Sequence, residues 1–350
     1  MQKDVPTRYS PSQYNLGGRA KQRQTDCLCG QAPSVGTQPP FTAEKKVNRP
    51  LCSYDLVRGP SGKGLTVGYF PEIAAVDNTV NATITYDQLH VNAWSAWLDA
   101  KTPDHSEGTL TAIPTLFGGN FQAVSVAQKT VGYLNATGNP FSPALLKALD
   151  FVDDSIGGLV NKLKDKKIYE DTLIVIASKH GQAPINPSLY KKIDPTTITN
   201  LTKVPVEWQT SDDIALIFLN KTADTATAAA NLKASAAKGE IMNVISGAEL
   251  ITAGYGDPSK DPSVPDIIVQ PRLGVIYTNS KKKIAEHGGL ADDDRKVACF
   301  VSNPKLKKMK FGQRVYTTQV GPTILKGLGF DARELEGAKR EETRVLPGFE

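Results

Sequence analysis

The run "SPALLKALDFVDDSIGGLVNKLKDKK" at 142–167 leads almost directly into "DTLIVIASKHG" at 171–181. Ser142 is a good N-cap, and Pro143 suits the first helical position. Leu145, Leu146, Leu149, Val152, Ile156, Leu159 and Leu163 recur at helical spacing and define one apolar face. The β-branched run that follows suits a strand at 172–177 in the middle of a sheet covered on both faces. With "NFQAVSV" at 120–126 read as a short strand, the order is strand, helix, strand. Such a crossover places its two strands in parallel.

Other segments extend the pattern. "TITYDQLHVNAWSAWLDA" predicts a helix from about Tyr86, with Leu89, Val91, Trp94, Trp97 and Leu98 at three- and four-residue steps and His90 on its flank. Strands are expected at 212–219, 266–271 and 296–302, an alanine-rich helix over 223–237, and a closing helix over 317–329 capped by Thr318. The fold class is therefore α/β, with a mainly parallel central sheet and helices on both faces. Residues 1–50 are rich in Gln, Pro, Ser and Lys and contain no apolar run. They are expected to be a disordered or poorly ordered N-terminal segment that supplies no central strand, with residues 51–350 as the α/β domain.

The net charge of +5 is dispersed over 350 residues. Its densest clusters, Lys281-Lys282-Lys283 and Lys305–Lys310, lack interleaved aromatic residues and read as solvated loops rather than a nucleic-acid surface. No stretch is long enough to span a membrane, and no apolar signal core opens the chain. Sequons at Asn81, Asn135, Asn200 and Asn220 nevertheless suggest a secretory, glycosylated ancestry. Cys27, Cys29, Cys52 and Cys299 lack zinc-ribbon spacing, and a disulfide among them is neither required nor excluded. "GPSGKG" at 59–64 lacks the spacing of a phosphate loop.

Chemistry is expected where the 172–177 strand stops, because open α/β sheets place their sites at the C-terminal ends of strands. The strand ends on Lys179-His180-Gly181. His287 stands in a matching "AEHGG" turn after "DIIVQPRLGVIYT". The chain has four histidines, and two of them precede a glycine in this way. A lone loop histidine is usually structural, but two matching His-Gly turns point to one shared site.

At these residues the chain resembles the alkaline phosphatase superfamily, within it the type I phosphodiesterase/nucleotide pyrophosphatases. The likeness runs from about Tyr54 to the C-terminus. It rests on "YDLVRGPSGKG", "GGNFQAVSVAQK", "ALDFVDDSIGGLV", "DTLIVIASKHGQAPINP", "PDIIVQPRLGVIYT", "KKKIAEHGGLADDDRKVACFVSNP" and "TTQVGPTILKGLG". The resemblance implies a two-zinc site built from Asp and His, and a Thr or Ser nucleophile acting on a small phosphorylated substrate or nucleotide.

The correspondence is incomplete. His180 and His287 match the histidines of the family's two His-Gly turns and are expected to bind metal. Lys179 stands where the first turn carries Asp. The family's Asp-x-x-Gly-His pair falls on "NATGNP", with Asn135 and Asn139 at the ligand positions. Asp104 and His105 are substitute ligands or a solvated loop, and Glu286 is a further candidate. No nucleophile is recognisable, as though early strands were missing from an incomplete or degenerate member. Three readings follow. The chain is a metal-dependent phosphodiester or phosphomonoester hydrolase, impaired and holding one or two zinc ions. Or it is a non-catalytic relative that binds a phosphorylated ligand or a protein partner. Or it is an incomplete gene product. In all three, Lys179 either contacts phosphate in place of a cation or marks a lost metal. The oligomeric state is left open.

Overall fold

The computed structural model describes residues 26–29, 66–69, 79–104, 106–107, 109–134, 141–184, 188–281 and 283–350. They fall into two compact units.

One unit holds the described residues of 11–127, 146–179 and 298–350. Its larger sheet centres on β1 (Asp26–Cys29), which runs parallel to β2 (Thr66–Tyr69) on one side. β3 (Ser106–Glu107) adds antiparallel to β2, and β4 (Leu116–Gly118) pairs in parallel with the other side of β1. The expectation that residues 1–50 supply no central strand is thereby corrected: four consecutive residues suffice for a strand when both edges are paired. The rest of that segment lies outside the described residues.

Helix α1 (Val80–Leu98) begins earlier than the apolar spacing indicated. Its start is fixed by Thr79, whose hydroxyl accepts the Ala82 N–H at 3.3 Å. Its inner face buries Tyr86, Trp94, Trp97 and Leu98, with Phe117, Phe121 and Leu159 packed against the cluster. Truncating a tryptophan as enclosed as Trp97 costs about 3–5 kcal/mol. His90 is not on the flank as expected. It is 1% exposed, with its ring 4.8 Å from that of Tyr86 and 6.5 Å from that of Trp94.

The expected strand at 120–126 is also corrected, because Ala123–Thr130 form helix α2. The cause lies elsewhere in the chain. The buried Asp87 carboxylate accepts the N–H groups of Gln122 and Ala123, both at 2.8 Å, and so caps the helix from α1. Helix α3 (Pro143–Asp165) opens as expected, with the Ser142 hydroxyl accepting the Leu145 N–H at 3.1 Å. Its buried face runs through Ala148, Ser155 and Leu163, whereas Leu146 and Leu149 remain exposed.

Strand β5 (Ile174–Ala177) pairs antiparallel with Cys299–Ser302, and Ile176 is exposed. It is therefore not a mid-sheet strand covered on both faces. An apolar run sets a tendency to bury, but the pairing decides what covers it. The predicted parallel crossover from 120–126 to 172–177 does not form, because its first segment is helical and β4, the strand before it, belongs to a different sheet from β5. Cys299 is a free thiol. Thr318 sits inside a 3₁₀ turn, Thr317–Gln319, rather than capping the closing helix Val320–Gly327.

The other unit holds the described residues of 128–145 and 180–297. β6 (Ala183–Pro184) and β7 (Lys191–Ile193) precede helix α4 (Pro195–Leu201). β8 (Val206–Ser211), β9 (Ala215–Leu219), β10 (Ile241–Ser246) and β11 (Ile267–Pro271) form an antiparallel sheet in the order β10-β11-β9-β8. Helix α5 (Thr225–Ala234) adds Leu232 to a core that includes Ile198, Ile217, Ile267, Val269 and Tyr277. β12 (Val275–Tyr277) runs parallel to β7, and β13 (Ala285–Glu286) antiparallel to β6.

Among the described pairings, β1–β2, β1–β4 and β7–β12 are parallel and the others antiparallel. The class is α/β as expected, but the sheets are mixed rather than mainly parallel. The tight turn Asp212–Ile214 between β8 and β9 shows why, since so short a link can join only antiparallel neighbours. Among the described residues no helix is long and apolar enough to cross a membrane.

Candidate functional site

The two-residue pairing of β6 with β13 sets Glu286 opposite Ala183. Each strand adjoins one of the His-Gly turns, so the pairing carries His287 to His180. The two rings lie 3.8 Å apart between centroids and are inclined by 31°.

Gly181 is needed for the approach. A β-carbon there would fall 1.9 Å from the Asp293 carbonyl oxygen. Without one, the Gly181 N–H donates to the Asp294 carbonyl at 2.7 Å. Gly288 serves the second turn differently, through a φ of +96° that L-residues rarely adopt.

The end of α2 adds a cation. Lys129 Nζ lies 2.9 Å from His287 Nε2 and 3.3 Å from Glu286 Oε2. The backbone fixes this placement, because the Ile284 N–H donates to the Lys129 carbonyl at 2.7 Å. Lys283 contacts the other oxygen of Glu286 and also Asp212. The Glu286 side chain is wholly buried. Burial would raise its pKa, but Lys129 and Lys283 hold it below the ordinary carboxylate range. Burial likewise opposes the charge on Lys283, and Glu286 and Asp212 together keep its pKa above normal. The prediction that Lys283 belongs to a solvated loop is corrected: it is one of two cations neutralising a buried acid.

A second carboxyl group stands behind this network. Burial, followed by the charges of Asp294, Glu286 and Asp212, raises Asp213 to about 8. It is therefore protonated at neutral pH and can donate to Asp294, whose own pKa is also raised by burial. The Asp294 carboxylate accepts the Ala183 N–H at 3.3 Å, which ties this pair to the strand next to His180.

The structure thus brings together His180, His287 and Glu286 of the expected site residues. Lys179 is exposed, and so is Asp104. His105, Asn135 and Asn139 lie outside the described residues. Lys129 carries no local motif, and its role is seen only in its contacts with Ile284, Glu286 and His287, far along the chain.

The two-metal centre implied by the resemblance can be tested against this donor set. Glu286 is already bound by two ammonium groups. The lone pair of His287 Nε2 faces Lys129, which has only donors to offer. Among the described residues no three His, Cys, Asp or Glu side chains gather to hold an ion. These residues do not fit a two-zinc centre.

No curated protein sequence matches the chain. Among solved structures, human ectonucleotide pyrophosphatase/phosphodiesterase 5 is similar, with 13% identity, a TM-score of 0.55, and coverage of 88% of this chain and 67% of that one. An inactive variant of the murine protein in complex with AMP gives 13% identity, a TM-score of 0.54, and coverage of 88% and 68%. These likenesses establish an alkaline-phosphatase-like fold. The family model described as type I phosphodiesterase/nucleotide pyrophosphatase matches residues 32–294, a span that contains both His-Gly turns and Lys129. The shared fold and this match over most of the sequence agree with the paired histidine turns, and the chain belongs to the type I phosphodiesterase/nucleotide pyrophosphatase family.

Proposed function

We propose that this chain is a phosphodiester-hydrolase-type protein that binds a small nucleotide-like phosphoester at His180 and His287, with its turnover impaired. The supporting observation is the 3.8 Å approach of the two rings, each from its own His-Gly turn. The Lys129 ammonium beside His287 gives a phosphoryl group positive charge and N–H donors. An ammonium neutralises phosphoryl oxygens, but it is not a Lewis acid that generates a nucleophile at neutral pH. Binding is therefore supported more strongly than catalysis.

This asymmetry favours a second reading, in which the chain is a non-catalytic relative retained for binding a phosphorylated ligand. Titration of the full chain with AMP, together with a chromogenic phosphodiester assay, separates the two. Binding that is lost in His180→Ala and His287→Ala, with turnover barely above background, supports the impaired site. Robust turnover abolished by either substitution would establish an intact hydrolase. Absence of AMP binding at millimolar concentration would overturn the nucleotide reading. The described sequon residues Asn81, Asn200 and Asn220 are all exposed, which supports a glycosylated, secretory-pathway protein.

A further inference from the structure

We infer that Lys129 is a resident cation standing in place of a metal, so that this site is closed to zinc. Three observations carry the inference, and none depends on which phosphoester is bound.

The first is geometric. Lys129 Nζ lies 2.9 Å from His287 Nε2 and 3.3 Å from Glu286 Oε2, between a nitrogen and an oxygen that would otherwise face the same point. An ammonium has three N–H donors and no acceptor. In this contact Nε2 must therefore accept, and the lone pair that would bind a metal is engaged.

The second is electrostatic. The Glu286 side chain is fully buried, and a buried carboxylate requires a compensating charge. Here the compensation is covalently attached to the chain: Lys129 at one oxygen and Lys283 at the other, with Lys283 also paired to Asp212. A divalent ion entering this site would have to displace Lys129, and would then stand close to a second ammonium.

The third is structural. The Lys129 side chain is 22% exposed, and the Lys129 carbonyl is held by the Ile284 N–H at 2.7 Å. The ammonium therefore belongs to a fixed backbone position next to β13 and is not a mobile surface lysine.

The test is zinc binding by the metal-stripped full chain, measured by equilibrium dialysis with elemental analysis and by thermal melting with and without zinc or chelator. The wild type should hold no zinc that His287→Ala removes, and neither zinc nor chelator should shift its melting temperature through this site. Lys129→Ala frees the ring nitrogen and one carboxylate oxygen, so zinc affinity should rise about tenfold or more. Adding His287→Ala in that background should abolish the gain. Lys129→Arg keeps the cation and should remain as indifferent to zinc as the wild type. If Lys129→Ala does not fold, the wild-type and Lys129→Arg measurements still decide the matter. Stoichiometric zinc in the wild type that is lost in His287→Ala would overturn the inference, whereas failure of AMP binding would leave it untouched.

Discussion

The imidazoles of His180 and His287 stand 3.8 Å apart between centroids, because the antiparallel pairing of β6 with β13 sets the turn before one strand beside the turn after the other. Residues in such contact act on a shared ligand as a unit. Either alanine substitution should therefore remove most phosphate or nucleotide affinity, and the double substitution should cost little more. A double-mutant cycle read by isothermal titration with AMP checks this. Strictly additive losses, appearing in thermal stability rather than binding, would show that the two are separate structural histidines.

Gly181 offers a purely steric prediction. A β-carbon at 1.9 Å from the Asp293 carbonyl oxygen cannot be accommodated, because the obstacle is backbone. Gly181→Ala should cost about 2–4 kcal/mol of stability and break the Gly181 N–H to Asp294 bond. Denaturant unfolding would measure the loss. Ligand affinity should fall as well, since the same turn carries His180. Wild-type stability in the variant would mean that the 181 and 293 segments are not packed as described.

What could be read from the sequence depended on how local each cause was. Ser142 and Pro143 announce α3 because the cap and the helix are adjacent. α2 reads as a strand in the sequence because its cap, Asp87, lies on another helix, and because Val124 and Val126 look like strand residues in isolation. The exposure of Leu146 and Leu149, against burial of Ala148 and Ser155, shows that residue type alone placed the inner face of α3 imprecisely. At the site, each histidine was marked by the glycine after it and Glu286 by adjacency to His287. Lys129 and the true role of Lys283 were not, since their partners are met only through the pairing of distant strands.

Asp213 and Asp294 predict a pH effect of known sign. Asp213 titrates at about 8 in the fold and near 3.8 when unfolded, so the folded state holds the extra proton between those values. Its contribution to stability therefore diminishes as pH rises from about 4 to about 8. Asp213→Asn retains a donor toward Asp294 without the ionisation. The variant should gain stability relative to wild type as pH increases across this window, in paired unfolding curves at pH 5 and pH 8. An unchanged difference between the two pH values would show that Asp213 is already ionised.

Asp87 and His90 make a sharper case, because their effects oppose each other on one helix. Burial raises Asp87 to about 6, against the lowering effect of the Ala123 and Gln122 N–H bonds. Burial lowers His90 to about 4. For Asp87, the unfolded chain loses its proton near 3.8 while the fold keeps it until about 6, so stability falls as pH rises through that interval. For His90, the unfolded chain gains a proton below 6.5 while the fold stays neutral to about 4, so stability is complete above 6.5 and falls as pH drops. Each effect is worth roughly 3 kcal/mol at full extent, and over pH 4–6 they largely cancel. The wild type should accordingly show a nearly flat contribution from this pair. Asp87→Asn keeps an acceptor for the α2 N-terminus and removes one arm, so stability should then climb between pH 4 and pH 6.5. His90→Phe removes the other arm and preserves the ring between Tyr86 and Trp94, so stability should decline from pH 4 to pH 6. Urea unfolding of the three proteins at half-unit pH intervals reads both slopes. Parallel curves for all three would mean that neither group changes its pKa on folding.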